Sequence, residues 1–396
     1  MVTYKDGKVR AARNKGQVKN YGANSLTTKQ VLDTFQNRGD IQAAFYEAMA
    51  DLETAINKLS KEQKEKFFKN GKREDAEKRK SETVQLKEES KLLEADLIKT
   101  EEEVKNRLVK LPNTPHVSVP IGKTPEENEI VKSHGQIPTL FEGALAHWDL
   151  AKKYDLFDLE LGVKITGAGF PVYKKQGAKL QRALISFFLD NAIAAGYTEV
   201  IPPHMVNEAS AFGTGQLPDK EGQMYFATLD DFYLIPTAEV PVTNIVRDET
   251  IEEKNLPLKF AAYTPCFRRE AGSYGKDVRG LNRVHQFDKV EIVQIAHPDK
   301  SYDVLEEMVK YVESILQKLE LPYRILRLCG GDMSFASALT YDFEVYSTAQ
   351  QRWLEVSSVS NFETFQSNRL KARFRDESKK TRLVHKIGRA SCRERV

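Results

Sequence analysis

The densest cluster of chemically able side chains is "FRREAGSYGKDVRGLNRVHQFDKVE", residues 267–291, where two polar-ended segments flank a basic, Gly-rich stretch. Read as a hairpin, strand alternation places Arg268 and Glu270 on one face of the first strand. It places Arg283, His285, Phe287 and Glu291 on one face of the second. If those faces coincide, two guanidinium groups, two carboxylates and an aromatic ring look into the same space. A sheet interior does not tolerate that many unpaired charges, so they either pair as a solvated face or receive a ligand of matching charge. A solvated charged face is the commoner outcome for such a stretch. The ring between arginines favours the other, because Arg suits phosphate and Phe suits a purine base.

Two further segments offer oxygen ligands. "PTAE", read as a strand end, sets Thr237 and Glu239 on one face, suited to an ammonium group and a neighbouring hydroxyl or carboxylate. "LEVSS" offers the Glu355 carboxylate and the Ser358 hydroxyl, which suit a hard cation such as Mg²⁺ that takes few protein ligands beside substrate phosphates. Each segment alone is a weak signal. Nothing resembles a Walker phosphate loop, a dinucleotide fingerprint or a nucleophile elbow. His116, His134, His147 and His204 lack metal-ligand spacing and read as structural or surface residues. "GTGQLP", residues 213–218, reads equally as a mobile lid loop or an ordinary turn.

These groups need a scaffold, and 396 residues suffice for two or three domains with a large core. The 60 basic and 57 acidic side chains leave a net charge of +3, too balanced to imply nucleic acid by itself. No apolar run reaches the roughly 20 residues of a membrane span, and no signal peptide opens the chain, so a cytoplasmic location is expected. Cys266, Cys329 and Cys392 are scattered and odd in number, which supports neither a disulfide framework nor a zinc site.

Residues 1–39 are basic and without clear apolar period, and read as irregular. From residue 40 to 111, Phe45, Met49, Leu52, Ile56 and Leu59, then Leu86, Leu93, Leu97, Val104, Leu108 and Leu111, mark two seams of a coiled coil. The "NGKRED" turn, residues 70–75, separates them, which predicts an antiparallel hairpin roughly 45 Å long at about 1.5 Å per residue. From the pattern alone, an oligomerisation element and a protruding arm both fit. Residues 112–135 are Pro-rich and read as a linker. Beyond them, one amphipathic helix leads into "TEVIPPHMV", whose paired prolines favour an edge or interface. Five later segments read as strands, with a single clear helix among them. The expected fold class is therefore α+β: an antiparallel sheet flanked by helices, preceded by the arm.

Together these motifs resemble a bacterial-type seryl-tRNA synthetase, of the class II aminoacyl-tRNA synthetases, from about Phe45 to His385. "AAGYTEVIPPHMV" is similar to that family's first motif, with Pro203 at its dimer-interface proline. "GTGQLP", "PTAEVP", the 267–291 stretch and "WLEVSSVSNFETFQSNR" follow in the family's order. The resemblance implies a serine site of Thr237, Ala238, Glu239, Arg268 and Glu291, in which Glu291 accepts from the serine hydroxyl. It implies an ATP site of Arg268, Arg269, Glu270, Arg283, Val284, Phe287, Glu355, Val356, Ser357 and Ser358. In it Arg268 and Arg283 meet phosphate, Phe287 stacks on adenine, and Glu355 and Ser358 ligate Mg²⁺. It further implies a homodimer, and a coiled-coil arm that grips tRNA(Ser) and also tRNA(Sec). The rival reading is a non-catalytic, synthetase-like RNA-binding or scaffold protein, which would need none of these residues together.

Two departures shape the expectations. The first 40 or so residues do not resemble the family's N-terminal region. After "LVH" the resemblance leads to a Thr-Leu-Asn-Gly-Ser segment and a third motif, for which this chain has no counterpart. The catalytic domain, residues 136–386, is thus expected to stop short of that motif, with impaired adenylation. Residues 387–396, "IGRASCRERV", read as a translated sequencing adapter and are expected to be a non-native tail, Lys386 being the hybrid codon.

Overall fold

The computed structural model describes residues 2–5, 8–12, 18–20, 73–219, 222–270 and 279–391. The chain divides into two compact units, residues 1–108 and 109–396.

In the first unit, strands β1 (Val2–Lys5), β2 (Lys8–Ala12) and β3 (Val18–Asn20) form an antiparallel meander. At these described residues the chain is extended rather than irregular; the rest of residues 1–39 lies outside the described residues. Lys5 pairs with Lys8 and Val2 with Ala11 across the first two strands. The first helix of the expected hairpin, residues 40–70, lies outside the described residues. Helix α1 (Arg73–Leu108) spans 36 residues, about 54 Å at 1.5 Å per residue. It takes in Arg73, Glu74 and Asp75, which the sequence reading gave to the turn, and it ends three residues before Leu111. Thr83, Ser90, Leu97 and Val104 are its least exposed positions and recur every seventh residue, the period of a coiled-coil seam.

The second unit is built on an eight-stranded sheet. Its strands are β4 (Glu129–His134), β5 (Thr198–Glu199), β6 (Leu258–Phe267), β7 (Gln286–Ala296), β8 (Tyr323–Arg327), β9 (Leu339–Ser347), β10 (Arg352–Asn361) and β11 (His385–Ser391). Their order is β4-β8-β9-β10-β11-β7-β6-β5, antiparallel at every pairing except β5 with β6. Strand β5, just before the paired prolines, holds the expected edge. The opposite edge, β4, comes from the segment read as linker. All six of its residues are exposed, so it carries no alternation that would mark it as a strand.

Two helices cover one face of the sheet. Helix α2 (Lys175–Ala194) brings Phe188 and Ala192. A second, Ser301–Lys318, places Val304, Leu305, Met308, Val312 and Leu316 at helical spacing against Ile292, Ile325, Phe343, Val359 and Ile387. Phe343 is fully buried at the centre of this layer. Phe343→Ala is expected to cost about 3–5 kcal/mol, read as a lowered urea midpoint with unchanged slope.

The other face carries the chemistry. Along β7, Val293 and Ile295 pack with Val242, Val246 and Phe374, and the same row continues as Glu291, Lys289 and Phe287. The row changes from apolar to charged to aromatic as it emerges from beneath the short helix α3 (Glu239–Thr243).

Residues 387–396 were expected to lie outside the domain as a tail. Residues 387–391 instead belong to β11, the inner strand between β10 and β7, and residues 392–396 lie outside the described residues. The backbone pairs on both sides, and Ile387 is an apolar residue buried in the helix-covered layer.

Candidate active site

Two expectations about strand faces fail for the same reason, an early strand end. Strand β6 stops at Phe267, so Arg268 and Glu270 are not alternating strand residues, and Glu270 takes a left-handed φ of 49°. Strand β7 begins at Gln286, which leaves Arg283 and His285 on its approach and only Phe287 and Glu291 in its row. "PTAE" is not a strand either. The short strand Phe232–Leu234 ends ahead of Pro236, Ala238 is the N-cap of α3 and Glu239 its first residue. Pro241 then falls in the first turn, where a missing N–H costs nothing.

At the centre, Glu291 is 1 % exposed and surrounded by donors. The Thr237 hydroxyl donates to its carboxylate at 2.6 Å, the Lys289 ammonium lies 2.9 Å away, and the Glu239 N–H donates to Oε2. Lys289 also donates to the Thr237 oxygen at 2.8 Å. A few ångströms on, Glu239 Oε1 accepts from Gln366 Nε2 at 2.7 Å and from Lys386 Nζ at 2.6 Å. Burial works to raise the Glu239 carboxyl, but the Lys386 charge and hydrogen bond, Gln366 and Lys289 outweigh it and hold it below the usual carboxylate range. Lys386 is itself pushed down by burial, against the pull of Glu239. Two carboxylates and two ammonium groups thus close a neutral cluster.

Toward the mouth, the Arg268 guanidinium lies 5.2 Å from the centre of the Phe287 ring, and its Nε donates to the Pro236 carbonyl. Phe287 and Val284 are buried with Cys266, whose thiol burial pushes up to about 11, leaving it inert. Arg283 and Glu270 pair with each other at 2.8 Å. For this pair the solvated ion-pair alternative describes the structure as it stands. The Arg269 N–H donates to the Gln223 carbonyl. His285, singled out with the arginines, is held by Tyr225 at 2.8 Å and stacked on Phe170. The "GTGQLP" segment contains the end of a short helix, with Thr214 buried and its carbonyl accepting from Gln366. It therefore packs as a turn against the site.

On β10, Glu355 and Ser358 are three residues apart and would ordinarily face opposite ways. The pairing shifts between Phe343 and Glu344, so that Val356 is an extra residue in the strand. The bulge inverts the alternation: Val356 and Ser357 are buried, while Glu355 and Ser358 share the more open side. A carboxylate and a hydroxyl there suit a hard cation that keeps most of its shell as water and phosphate oxygen. Among the described residues no group of three or more His, Cys, Asp or Glu side chains forms a self-sufficient metal site.

Sequence reasoning missed Lys289, Gln366 and Lys386. Lys289 was legible in principle, standing two residues before Glu291 in the same row.

An antiparallel sheet of this order, with arginines, a buried aromatic and acidic residues gathered on the face opposite its two long helices, defines a class II aminoacyl-tRNA synthetase core. Residues 226–396 match the family "tRNA synthetase class II core domain (G, H, P, S and T)". The chain is 47 % identical over 366 residues to a serine–tRNA ligase of Salinibacter ruber, covering 92 % of this chain and 85 % of the relative. It is 53 % identical over 285 residues to that of Hydrogenovibrio crunogenus, covering 70 % and 67 %. A crystal structure of seryl-tRNA synthetase from Pyrococcus horikoshii complexed with ATP superposes with a TM-score of 0.77 at 30 % identity, covering 92 % of this chain and 91 % of the other. The chain belongs to the serine–tRNA ligase family.

Proposed function

We propose that this chain activates L-serine with ATP and transfers it to the 3′-terminal ribose of tRNA(Ser), and of tRNA(Sec). The observation that carries the reading is the buried network of Thr237, Lys289 and Glu291 beside Glu239, at the end of a row that leads to Phe287. Glu291 accepts from the serine hydroxyl, and Glu239 with Thr237 receives the ammonium group. The serine carboxylate attacks the α-phosphorus, pyrophosphate leaves, and the ribose hydroxyl then displaces AMP from the acyl carbon.

No protein nucleophile is required; alignment and charge neutralisation do the catalysis. Arg268 meets the serine carboxylate and the α-phosphate. Glu270 and Arg283 exchange their mutual ion pair for the adenine amino group and the γ-phosphate, while Phe287 stacks on the base. Glu355 and Ser358 would hold Mg²⁺, which supplies charge neutralisation of the phosphates when bound. The exposed Ile201 and Pro203 beside edge strand β5 suit a homodimer contact, and the cytoplasm is the expected site of action.

Helix α1 belongs to an arm that grips the tRNA through backbone and shape contacts. Excision of residues 41–111 is expected to preserve serine-dependent ATP–pyrophosphate exchange to within about three-fold, while tRNA charging falls by at least about 10³-fold. Parallel loss of both activities would show that the arm is structural and would remove the tRNA assignment.

A further inference from the structure

We infer that Lys386 occupies the ammonium subsite of the amino-acid pocket, so that the chain holds its own cation where the substrate's ammonium must go. This inference rests on the proposed function, in which Glu239 receives that ammonium.

The geometry is that of a bound ammonium ion. Lys386 is 1 % exposed, its Nζ lies 2.6 Å from Glu239 Oε1, and it stands 4.0 Å from the centre of the Phe362 ring. A carboxylate on one side and an aromatic face on another make a site for a desolvated cation. The backbone makes room for it: a Cβ at Gly388 would come within 2.2 Å of Nζ, and glycine has none. Alternation along β11 aims Lys386 at the pocket while Ile387 enters the opposite layer.

Charge balance gives the consequence. Glu239 and Glu291 are answered by Lys289 and Lys386, so the cluster is already neutral before substrate arrives. Without Lys386 it would carry one net negative charge, the complement of an α-ammonium group. With Lys386 in place, serine must bring a second cation to a carboxylate already satisfied by Gln366 and Lys386. Lys386 therefore sets the affinity for the amino group and leaves the hydroxyl and phosphate contacts alone.

The test is equilibrium binding of serine by calorimetry, with exchange kinetics alongside, on the full chain and on Lys386→Met, Lys386→Thr and Lys386→Arg. Both neutral variants are expected to bind serine at least about ten-fold more tightly and to lower KM by a similar factor with little change in kcat. Lys386→Arg stays weak, because the charge remains. A second measurement needs no substitution. Glycerate, which keeps the hydroxyl and carboxylate but has no ammonium, should compete for the unaltered chain within about three-fold of serine. The inference is overturned if the neutral variants melt cooperatively and bind serine no better, or if the unaltered chain prefers serine over glycerate by about a hundred-fold or more. Should the neutral variants gain affinity for a different amino acid, the occupancy stands and the serine assignment falls. Unchanged serine affinity with exchange intact does the reverse.

Discussion

Glu291→Ala is expected to lower kcat/KM for serine by at least about 10³-fold and to collapse the preference for serine over alanine from roughly 10⁴ to within about 100-fold. The reason is the depth of the carboxylate. At 1 % exposure, with Thr237, Lys289 and the Glu239 N–H all directed at it, Glu291 has no access to bulk water as an alternative partner. In the proposed function the serine hydroxyl adds a further hydrogen bond to this water-excluded carboxylate, and a substrate without a hydroxyl forgoes it. The same substitution leaves the Lys289 ammonium, 2 % exposed, without its counter-charge, so about 3–5 kcal/mol of stability is lost as well. The two effects separate in the double variant Lys289→Met with Glu291→Leu. Removing both charges and filling their volume is expected to restore most of the melting temperature and none of the serine selectivity. Recovery of selectivity in that variant would show that Glu291 acts through folding alone.

Arg268→Ala is expected to reduce kcat for adenylation by about 10²–10³-fold, with a smaller change in KM for ATP. Arg268 follows the last residue of β6, lies over Phe287, and is oriented by the Pro236 carbonyl at 3.3 Å. In the proposed function that one guanidinium serves the serine carboxylate and the α-phosphate together. Charge on that phosphate grows in the transition state, so the loss falls on kcat. Arg268→Lys keeps the charge but not the planar fork, and should recover only part of the rate. Exchange measured at saturating ATP and serine discriminates the outcomes. A defect confined to KM would place Arg268 in ground-state binding alone.

The hairpin of β6 and β7 was legible because its apolar content and its Gly-rich connection agree, and the row Phe287, Lys289, Glu291 follows from alternation once the strand is placed. The strand ends were not legible. Arg268 and Glu270 continue the pattern of residue types past Phe267, but the hydrogen-bonded ladder stops there, and no local propensity reports that stop. Thr237 and Glu239 were read as strand residues because "FYLIPTAEV" is apolar and β-prone. Pro236 and a helical Ala238 turn the backbone, so that the Thr237 hydroxyl and the Glu239 backbone N–H meet Glu291 by way of a helix start. The metal-suited pair Glu355 and Ser358 needed a bulge at Val356, a tertiary feature absent from any residue count. Strand β4 stayed hidden because exposure on both faces leaves no alternation. Lys386 was hidden for another reason. It was read as the hybrid codon ahead of a non-native tail, and only the folded sheet shows it buried against Glu239.

The central claim, that this pocket activates serine, is tested most directly by amino-acid-dependent ATP–pyrophosphate exchange on the full chain and on Lys386→Met, across serine, alanine, threonine, cysteine and glycine. Serine alone is expected to support exchange, weakly in the first protein and with a KM at least about ten-fold lower in the second. Exchange with alanine at a rate comparable to serine, or no serine-dependent exchange in either protein, would contradict it.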